Sequence, residues 1–326
     1  MSTAPLVTVG LTCHNAEDTV ASAVESARRQ TLRNIEILAV DDASTDLSVS
    51  ELRRLQPHEP RLRVIERSEN GGVAAARNTL LAHARGEFIA FFDDDDVSAP
   101  QRVADQLERI CAYEAAIGAE LVLCHTAREV VAGDGRRHQI PALGMDATPA
   151  PHGTAVFDFI LTGRGAWRMS GAAATCSQMA RASVYAALGG FDESLQRSED
   201  TELNLRAALA GAHFPGIARP LVTQTLTVSD DKRPEAERDA TLAVLARHGR
   251  HPRVASWCRF NVGWCEVKYR LATGQRLRAA VRMAGLAVRW PDKFVLRALR
   301  SLPALGTRRA LGTGGWAADP DATLGT

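Results

Sequence analysis

The 326-residue sequence has no C-x-x-C pair. Its six cysteines, at 13, 111, 124, 176, 258 and 265, follow neither a disulfide framework nor a structural zinc spacing. A reduced, cytoplasmic protein is therefore expected, with its thiols serving as small core residues. No run of about 18 apolar residues occurs, which excludes a membrane-spanning helix. The N-terminal apolar run 6–11 is short and has no basic segment before it, so no signal peptide is expected. Net charge is nearly absent too, at +1. The molecule as a whole is not a polyanion binder, and nucleic acid is not an expected partner. Neither G-x-G-x-x-G nor G-x-x-x-x-G-K-[ST] is present, so a dinucleotide fold and a P-loop ATPase both lack their phosphate cradle. There is no internal repeat.

What remains is an ordinary globular composition, 45% apolar and 24% charged. The length suits one large domain or two modest ones. Over the first 125 or so residues, short β-rich runs at 6–11, 35–40, 62–66, 88–92 and 120–124 alternate with helical patterns at 17–30, 46–55, 73–84 and 101–115. In the first helical pattern Val20, Ala23, Val24 and Ala27 fall on one face. Near-continuous apolar strands separated by helices predict a mainly parallel sheet covered on both sides. Ligands of such sheets sit at the carboxyl ends of the strands. The residues there are T-C-H-N (12–15), D-D-A-S-T-D (41–46), N-G-G-V-A-A-A-R-N (70–78) and D-D-D-D (93–96). All four should meet on one edge.

Beyond 124 the pattern changes. Residues 130–137 read as a hairpin turn, 141–155 as a loop, 154–162 as a helix, and 175–180 as a further strand. G-G-F-D-E (189–193) is a turn, and 200–210 is a helix ended by Gly211. Several helices follow from 233 to 301, and a tail from Pro303 is expected to be mobile.

The run F-F-D-D-D-D drives an apolar strand into four carboxylates. Two unit charges ~5 Å apart repel by roughly 3 kcal/mol at an effective dielectric near 20. A solvated cap is one account: Ser98 is a good N-cap, with Pro100 just inside the next helix. Divalent metal binding is the other. Mg²⁺ or Mn²⁺ takes hard carboxylate oxygens, and Asp93 and Asp95, alternating on an extended backbone, would point to one side. Four acids exceed what a cap needs. Asp41-Asp42 reads either as an Asx-type turn or as acceptors for a ribose hydroxyl or a base N–H. The two glycines of N-G-G permit close backbone approach, with Arg77 on the following helix. Glu199-Asp200, read from the residues alone, suits the first turn of a helix better than a general base.

Taken in order, V-T-V-G-L-T-C-H-N, S-A-V-E-S-A-R-R-Q-T with I-E-I-L-A-V-D-D-A-S-T-D, N-G-G-V-A-A-A-R-N, G-E-F-I-A-F-F-D-D-D-D, G-G-F-D-E and S-E-D-T-E-L-N-L-R resemble the family 2 glycosyltransferases, which have the GT-A fold. The resemblance covers about residues 5 to 210. It implies a nucleotide-diphospho-sugar donor, often UDP-linked, and a divalent metal. By resemblance Thr12 and Asp42 contact the donor base, with Asp41 and Asn15 beside them and Arg77 near base and diphosphate. Asp93, Asp94 and Asp95 cover the Asp-x-Asp position, with Asp95 the foremost metal ligand, joined by Asp93. Asp200 matches the catalytic base, with Glu199 beside it. One base and one displacement imply inversion at the anomeric carbon. His14 stands where Tyr is more usual. Q-x-x-R-W is absent, as are membrane spans, and both accompany processive synthases. A non-processive enzyme adding one sugar to a glycan or lipid-linked acceptor of the cell envelope or capsule is therefore expected. A metal-dependent phosphohydrolase and an inactive nucleotide-sugar-binding module are the rival readings.

The expected organisation is a GT-A domain over 1–230, divided into a nucleotide-sugar half (1–125) and an acceptor half (126–230). A helical extension over 231–302 and the tail 303–326 follow. Trp167 is a candidate for stacking on an acceptor sugar, and Gln178 a second acceptor candidate. The basic stretch 276–300, with Arg276, Arg278, Arg282 and Arg289, reads either as a solvated face packed on the domain or as an interfacial contact with the inner face of a membrane.

Overall fold

The computed structural model describes residues 5–133, 135–165, 169, 171–225 and 233–298. Trp167 and the tail 303–326 lie outside them. Four strands build the first half of the sheet: β1 (Val7–Cys13), β2 (Ile35–Asp41), β3 (Leu62–Glu66) and β4 (Phe88–Asp93). They lie in the order β3-β2-β1-β4 and are all parallel. Every residue of β1 and β2 is buried, the cause of their near-continuous apolar reading.

The connectors are α1 (Val20–Arg28), α2 (Ser48–Leu55), α3 (Val73–His83) and, after β4, α4 (Arg102–Ile117). The period-two alternation of β2 separates two cores. Leu38 and Val40 face Ala74, Ala76 and Leu80 of α3. Ile37 and Ala39 face Val20, Ala23, Val24 and Ala27 of α1, the face read from the sequence.

The sheet then turns mixed. Beyond β4 come β8 (Gln178–Arg181), β6 (Leu123–Val131), β9 (Gly216–Thr225) and β5 (Asp96–Ser98), with β7 (Arg137–Ile140) hairpinned onto β6. β8 is antiparallel to both neighbours, and β9 runs parallel to β6. α5 (Gly153–Thr162), α6 (Ala182–Leu188) and α7 (Glu199–Leu209) cover this half. α8 (Pro234–His248), α9 (Ala255–Ala272) and α10 (Arg276–Arg289) follow. Val244, Leu245, Val254 and Cys258 join the main core, while Trp257, Phe260, Val267 and Leu286 form a smaller one.

One expectation fails here. Ser98 is not a helix cap: it ends β5, and its hydroxyl accepts from Arg102 Nη1 at 2.8 Å. The residue before α4 is Gln101, which makes no capping bond.

The parallel register places the strand ends together. Thr12 pairs with Val40 on one side and Asp93 on the other, and Cys13 pairs with Asp41. Gly86 permits the approach of β4 to β1. Its N–H donates to Thr8 Oγ1 at 2.9 Å, and a Cβ there would lie 2.3 Å from the Thr8 nitrogen and 2.8 Å from the Phe88 oxygen. Neither backbone atom can yield cheaply. Gly86→Ala is expected to cost about 2–3 kcal/mol, read as a lowered urea midpoint at unchanged slope.

Candidate active site

The site is built from loops that leave β1, β2 and β4 and from the start of α7. The loop after β2 folds on its own acids. Asp41 accepts from the Ser44 N–H at 2.9 Å. Asn15, in the left-handed region at φ 51°, accepts from the Thr45 N–H at 2.8 Å and ties the first two loops together. Asp42 accepts from the Gly71 and Gly72 N–H groups at 3.1 and 2.7 Å and pairs with Arg67. The role of the two glycines is thus concrete: they present backbone donors to Asp42, and Gly72 sits at φ 83°. Thr12, nearly buried, ends the floor between them.

The acidic turn departs from the sequence reading. Asp93 ends β4, the chain turns at Asp94 and Asp95, and Asp96 begins β5. Asp93 and Asp95 therefore do not alternate along one extended strand. The carboxylate brought back beside Asp93 is that of Asp96. A ligand atom from each of Asp93, Asp96 and Cys176 falls within 4.8 Å of the others. Asp94 accepts from the His14 N–H at 3.0 Å.

Three buried arginines face these acids, none of them an exposed surface cation. Arg102, fully buried, donates to the Phe91 carbonyl at 2.7 Å and to Gln106 at 3.1 Å, and lies over the Phe92 ring. Burial lowers its pKa to about 10. Arg128 donates to Gln224 at 2.9 Å and to Cys176 Sγ at 3.5 Å. Arg77 bridges two segments. It donates to Asp93 at 3.2 Å and pairs with Glu199, while its guanidinium lies over Phe91 and Phe191. The pairing with Glu199 and Asp93 holds its pKa above the ordinary value even against burial. Arg77 thus couples the acidic turn to α7.

The compensation is incomplete. Burial, with Asp95 and Asp93 adding to it, raises Asp94 to about 7. Asp96 is pushed well above the carboxylate range by burial and by Asp93 and Asp95. Among the described residues neither Asp96 oxygen has a donor at full hydrogen-bond geometry; the Cys176 thiol is the donor that comes nearest, and it offsets little of the burial. Two buried carboxylate oxygens with no strong donor form an uncommon arrangement. They fit a divalent cation, since hard oxygen donors suit Mg²⁺ or Mn²⁺. The third group, Cys176, is a thiol whose pKa burial raises, so the two carboxylates are the hard donors of the set.

Asp200 lies on the first turn of α7, after Ser198 at φ 62°. Asp200 Oδ1 accepts from the Thr201 N–H at 2.5 Å and from its hydroxyl at 3.2 Å. Burial first, then the neighbouring Glu199, raises its pKa to about 7. Asp200 lines a small cavity with Asn204, Phe159 and the 171–174 segment. A buried carboxyl with a raised pKa beside a cavity has the properties of a general base.

Gln178 does not serve there. It is fully buried in β8, where its oxygen accepts from Tyr185 at 3.0 Å and its amide nitrogen meets His125 and Asn204. Its alternation along the strand points it into the core, so it is withdrawn as an acceptor contact. Conversely, Arg128, Cys176 and Asp96 were not among the residues assigned from sequence. Asp96 alone carried a signal, as the fourth acid of the run.

A profile of glycosyl transferase family 2 matches residues 8–183. The chain is 31% identical over 214 residues to the putative glycosyltransferase EpsE of Bacillus subtilis, covering 63% of this chain and 68% of that protein. Over 102 residues it is 36% identical to WfaP of Escherichia coli, a UDP-Glc:alpha-D-GlcNAc-diphosphoundecaprenol beta-1,3-glucosyltransferase, spanning 31% of this chain and 40% of that protein. Among solved structures, Staphylococcus aureus TarS 1–349 in complex with UDP-GlcNAc superposes with a TM-score of 0.58 at 17% identity, over 98% of this chain and 89% of that one. The mannosyltransferase PcManGT of Pyrobaculum calidifontis, in complex with GDP-Man and Mn²⁺, gives 0.55 at 19%, over 99% and 86%. These likenesses show a common fold, with its curled, mainly parallel sheet. With its strand-end acids, its profile match and its relative EpsE, the chain belongs to glycosyl transferase family 2 and has the GT-A fold.

Proposed function

We propose that this glycosyltransferase moves a sugar, with inversion, from a nucleotide-diphospho-sugar to a hydroxyl of a glycan or lipid-linked acceptor in envelope or capsular polysaccharide synthesis. UDP is the proposed nucleotide. The observation that carries the reading is the Arg77 bridge between Asp93 and Glu199, which sets the acidic turn against the start of α7. The donor's diphosphate and the acceptor's hydroxyl must meet at such a junction.

Each residue has work to do in this reading. The loop of Asp41, Asp42 and the two glycines frames the donor base, with Thr12 as floor. Asp93 and Asp96 are the residues proposed to hold a divalent cation, with Asp95 and Asp94 at the rim. Such a cation, when bound, supplies electrostatic stabilisation of the diphosphate leaving group. Asp200 takes the proton from the acceptor hydroxyl as that oxygen attacks the anomeric carbon. Glu199, held by Arg77, keeps a second negative charge beside Asp200 and so raises its basicity. One base on one face gives a single displacement, hence inversion. The activity of WfaP, glucosyl transfer to a diphosphoundecaprenol-linked sugar, favours a lipid-linked acceptor.

The experiment is a thermal-shift comparison of UDP, GDP and their sugars with and without Mn²⁺. A nucleotide at about 100 times its Kd stabilises by roughly 2.7 kcal/mol, which in a chain of this size raises Tm by about 5 °C. The expected result is that shift with UDP only when Mn²⁺ is present. No shift with any nucleotide, with or without metal, would overturn the reading.

A further inference from the structure

α10 is apolar on two faces. At about 100° per residue, Ala279, Met283, Leu286 and Trp290 point one way. Ala279 and Leu286 are buried, and Met283 and Trp290 pack against Phe260 and Leu286 in the smaller core. On the opposite side Leu277, Val281, Ala284 and Val288 fall within about 60° of one another. That side is solvent-facing: Leu277 is 80% exposed, Val281 67% and Val288 85%. Single exposed apolar side chains are common, but four aligned over three turns form a continuous stripe.

The charge around the stripe has one sign. α10 contains Arg276, Arg278, Arg282 and Arg289, with no Asp or Glu. Arg278, Arg282 and Arg289 lie along one flank and Arg276 along the other. Among the described residues no carboxylate pairs with any of the four, whereas Arg270, just before them, is paired with Glu266. A solvated helix would gain from mixing signs at i and i+4, and α10 does not do so. Apolar side chains flanked by unneutralised arginines match the interface of an anionic bilayer, where acyl chains receive the stripe and phosphates receive the guanidinium groups. A second copy is a poor occupant, since docking stripe on stripe would bring the four arginines of each chain together.

We infer that the outward face of α10 docks the protein on an anionic phospholipid surface. This goes beyond the transfer reaction and does not depend on it. It places Leu277, Val281 and Val288 at the acyl boundary and the arginines at headgroup level. It also separates the two faces by role: Leu286 holds the helix to the protein, and Val281 holds the protein to the surface.

The test is cosedimentation of the full chain with vesicles of phosphatidylcholine alone or with about one third phosphatidylglycerol. Binding is expected with the anionic vesicles, weaker with phosphatidylcholine by about tenfold or more, and reduced at about 0.5 M salt. The combined variant Leu277→Gln, Val281→Gln, Val288→Gln and the combined variant Arg278→Gln, Arg282→Gln, Arg289→Gln are each expected to lower the partition coefficient by about tenfold or more. Far-UV circular dichroism and Tm should stay at wild-type values, since all six side chains leave the core untouched. Failure of the wild type to bind anionic vesicles overturns the inference, as does equal binding to both compositions. Undiminished binding by the apolar variant also overturns it, by assigning the affinity to residues 299–326 or another surface. So does a concentration-dependent dimer, seen by light scattering, that the apolar variant loses.

Discussion

Asp200→Asn is expected to lower the turnover of nucleotide sugar by about 10³-fold while leaving the donor KM nearly unchanged. The amide keeps the shape and the bond from the Thr201 N–H to Oδ1 but cannot take a proton. The pH dependence makes the assignment sharper. Burial and Glu199 hold Asp200 at about 7, and only its ionised form acts as a base. Wild-type kcat/KM should therefore fall about tenfold per pH unit below about 7 and level off above it. The residual rate of the variant should lose that slope. Stability moves in the opposite direction. A carboxyl whose folded pKa lies above its unfolded value binds more protons in the native state, so it favours folding at low pH. That contribution is lost as pH rises through about 7. At pH 8 the wild type carries the cost of an ionised buried carboxylate, and the variant does not. Urea unfolding should show Asp200→Asn more stable at pH 8, on the order of a few kcal/mol, with the gap closing towards pH 4. Wild-type turnover in the variant removes Asp200 as the base.

How much of this was legible beforehand depends on which force decided each element. β1 to β4 and α1 to α4 were legible because parallel strands buried on both faces leave continuous apolar runs, and α1 shows its packed face directly. The strand-end convergence followed from that topology, and the register of Thr12 with Asp93 realises it. β5 and β9 were not legible. β5 has three residues and opens with an acid, so local chemistry resembles a cap. β9 contains Pro220, which argues against a strand. The sheet accepts it because the pairing of β6 with β9 shifts register around Ala127, where the ladder is already interrupted. The candidate site shows the same division. Asp93 and Arg77 could be named from their places at the strand ends and Asp200 from the family resemblance, but their partners could not. The pairing of Arg77 with Glu199 spans 122 residues, and Asp96 with Cys176 spans the two halves of the sheet. The first contact joins α3 to α7, and the second joins β5 to the short turn before β8, elements remote in sequence whose local pattern names no partner. Gln178 was named because its strand leads towards Asp200, but strand position alone does not show that Tyr185, His125 and Asn204 enclose its side chain.

Asp96→Asn is the substitution that separates an acid kept for a ligand from an acid kept for the fold. Asp96 is buried beside Asp93 with no donor stronger than the Cys176 thiol, and its pKa is raised by burial and by its acidic neighbours. By the same sign argument as for Asp200, its ionised form opposes folding at neutral pH and above, and the opposition fades as the pH falls. The neutral amide removes that charge and gives Asp93 an N–H donor to accept from. In EDTA at pH 8 the variant is therefore expected to melt higher than the wild type, by about 2–5 °C. A structural acid predicts the opposite, because replacing a satisfied buried carboxylate leaves its donors orphaned. With Mn²⁺ present the order should reverse. The wild type should gain the metal-dependent shift with UDP, the variant should lose most of it, and turnover should fall by about 10²–10³-fold. Asp95→Asn, at the partly exposed turn, is expected to affect the EDTA melting temperature less, because its carboxylate is less buried than that of Asp96. Three arginines stand behind this turn, so the fold does not depend on metal to form it. Arg77, Arg102 and Arg128 offset part of the acidic charge, and the uncompensated part is concentrated on Asp96. A variant that is less stable in EDTA yet retains its Mn²⁺ response would make Asp96 a strut of β5 and move the metal to Asp95.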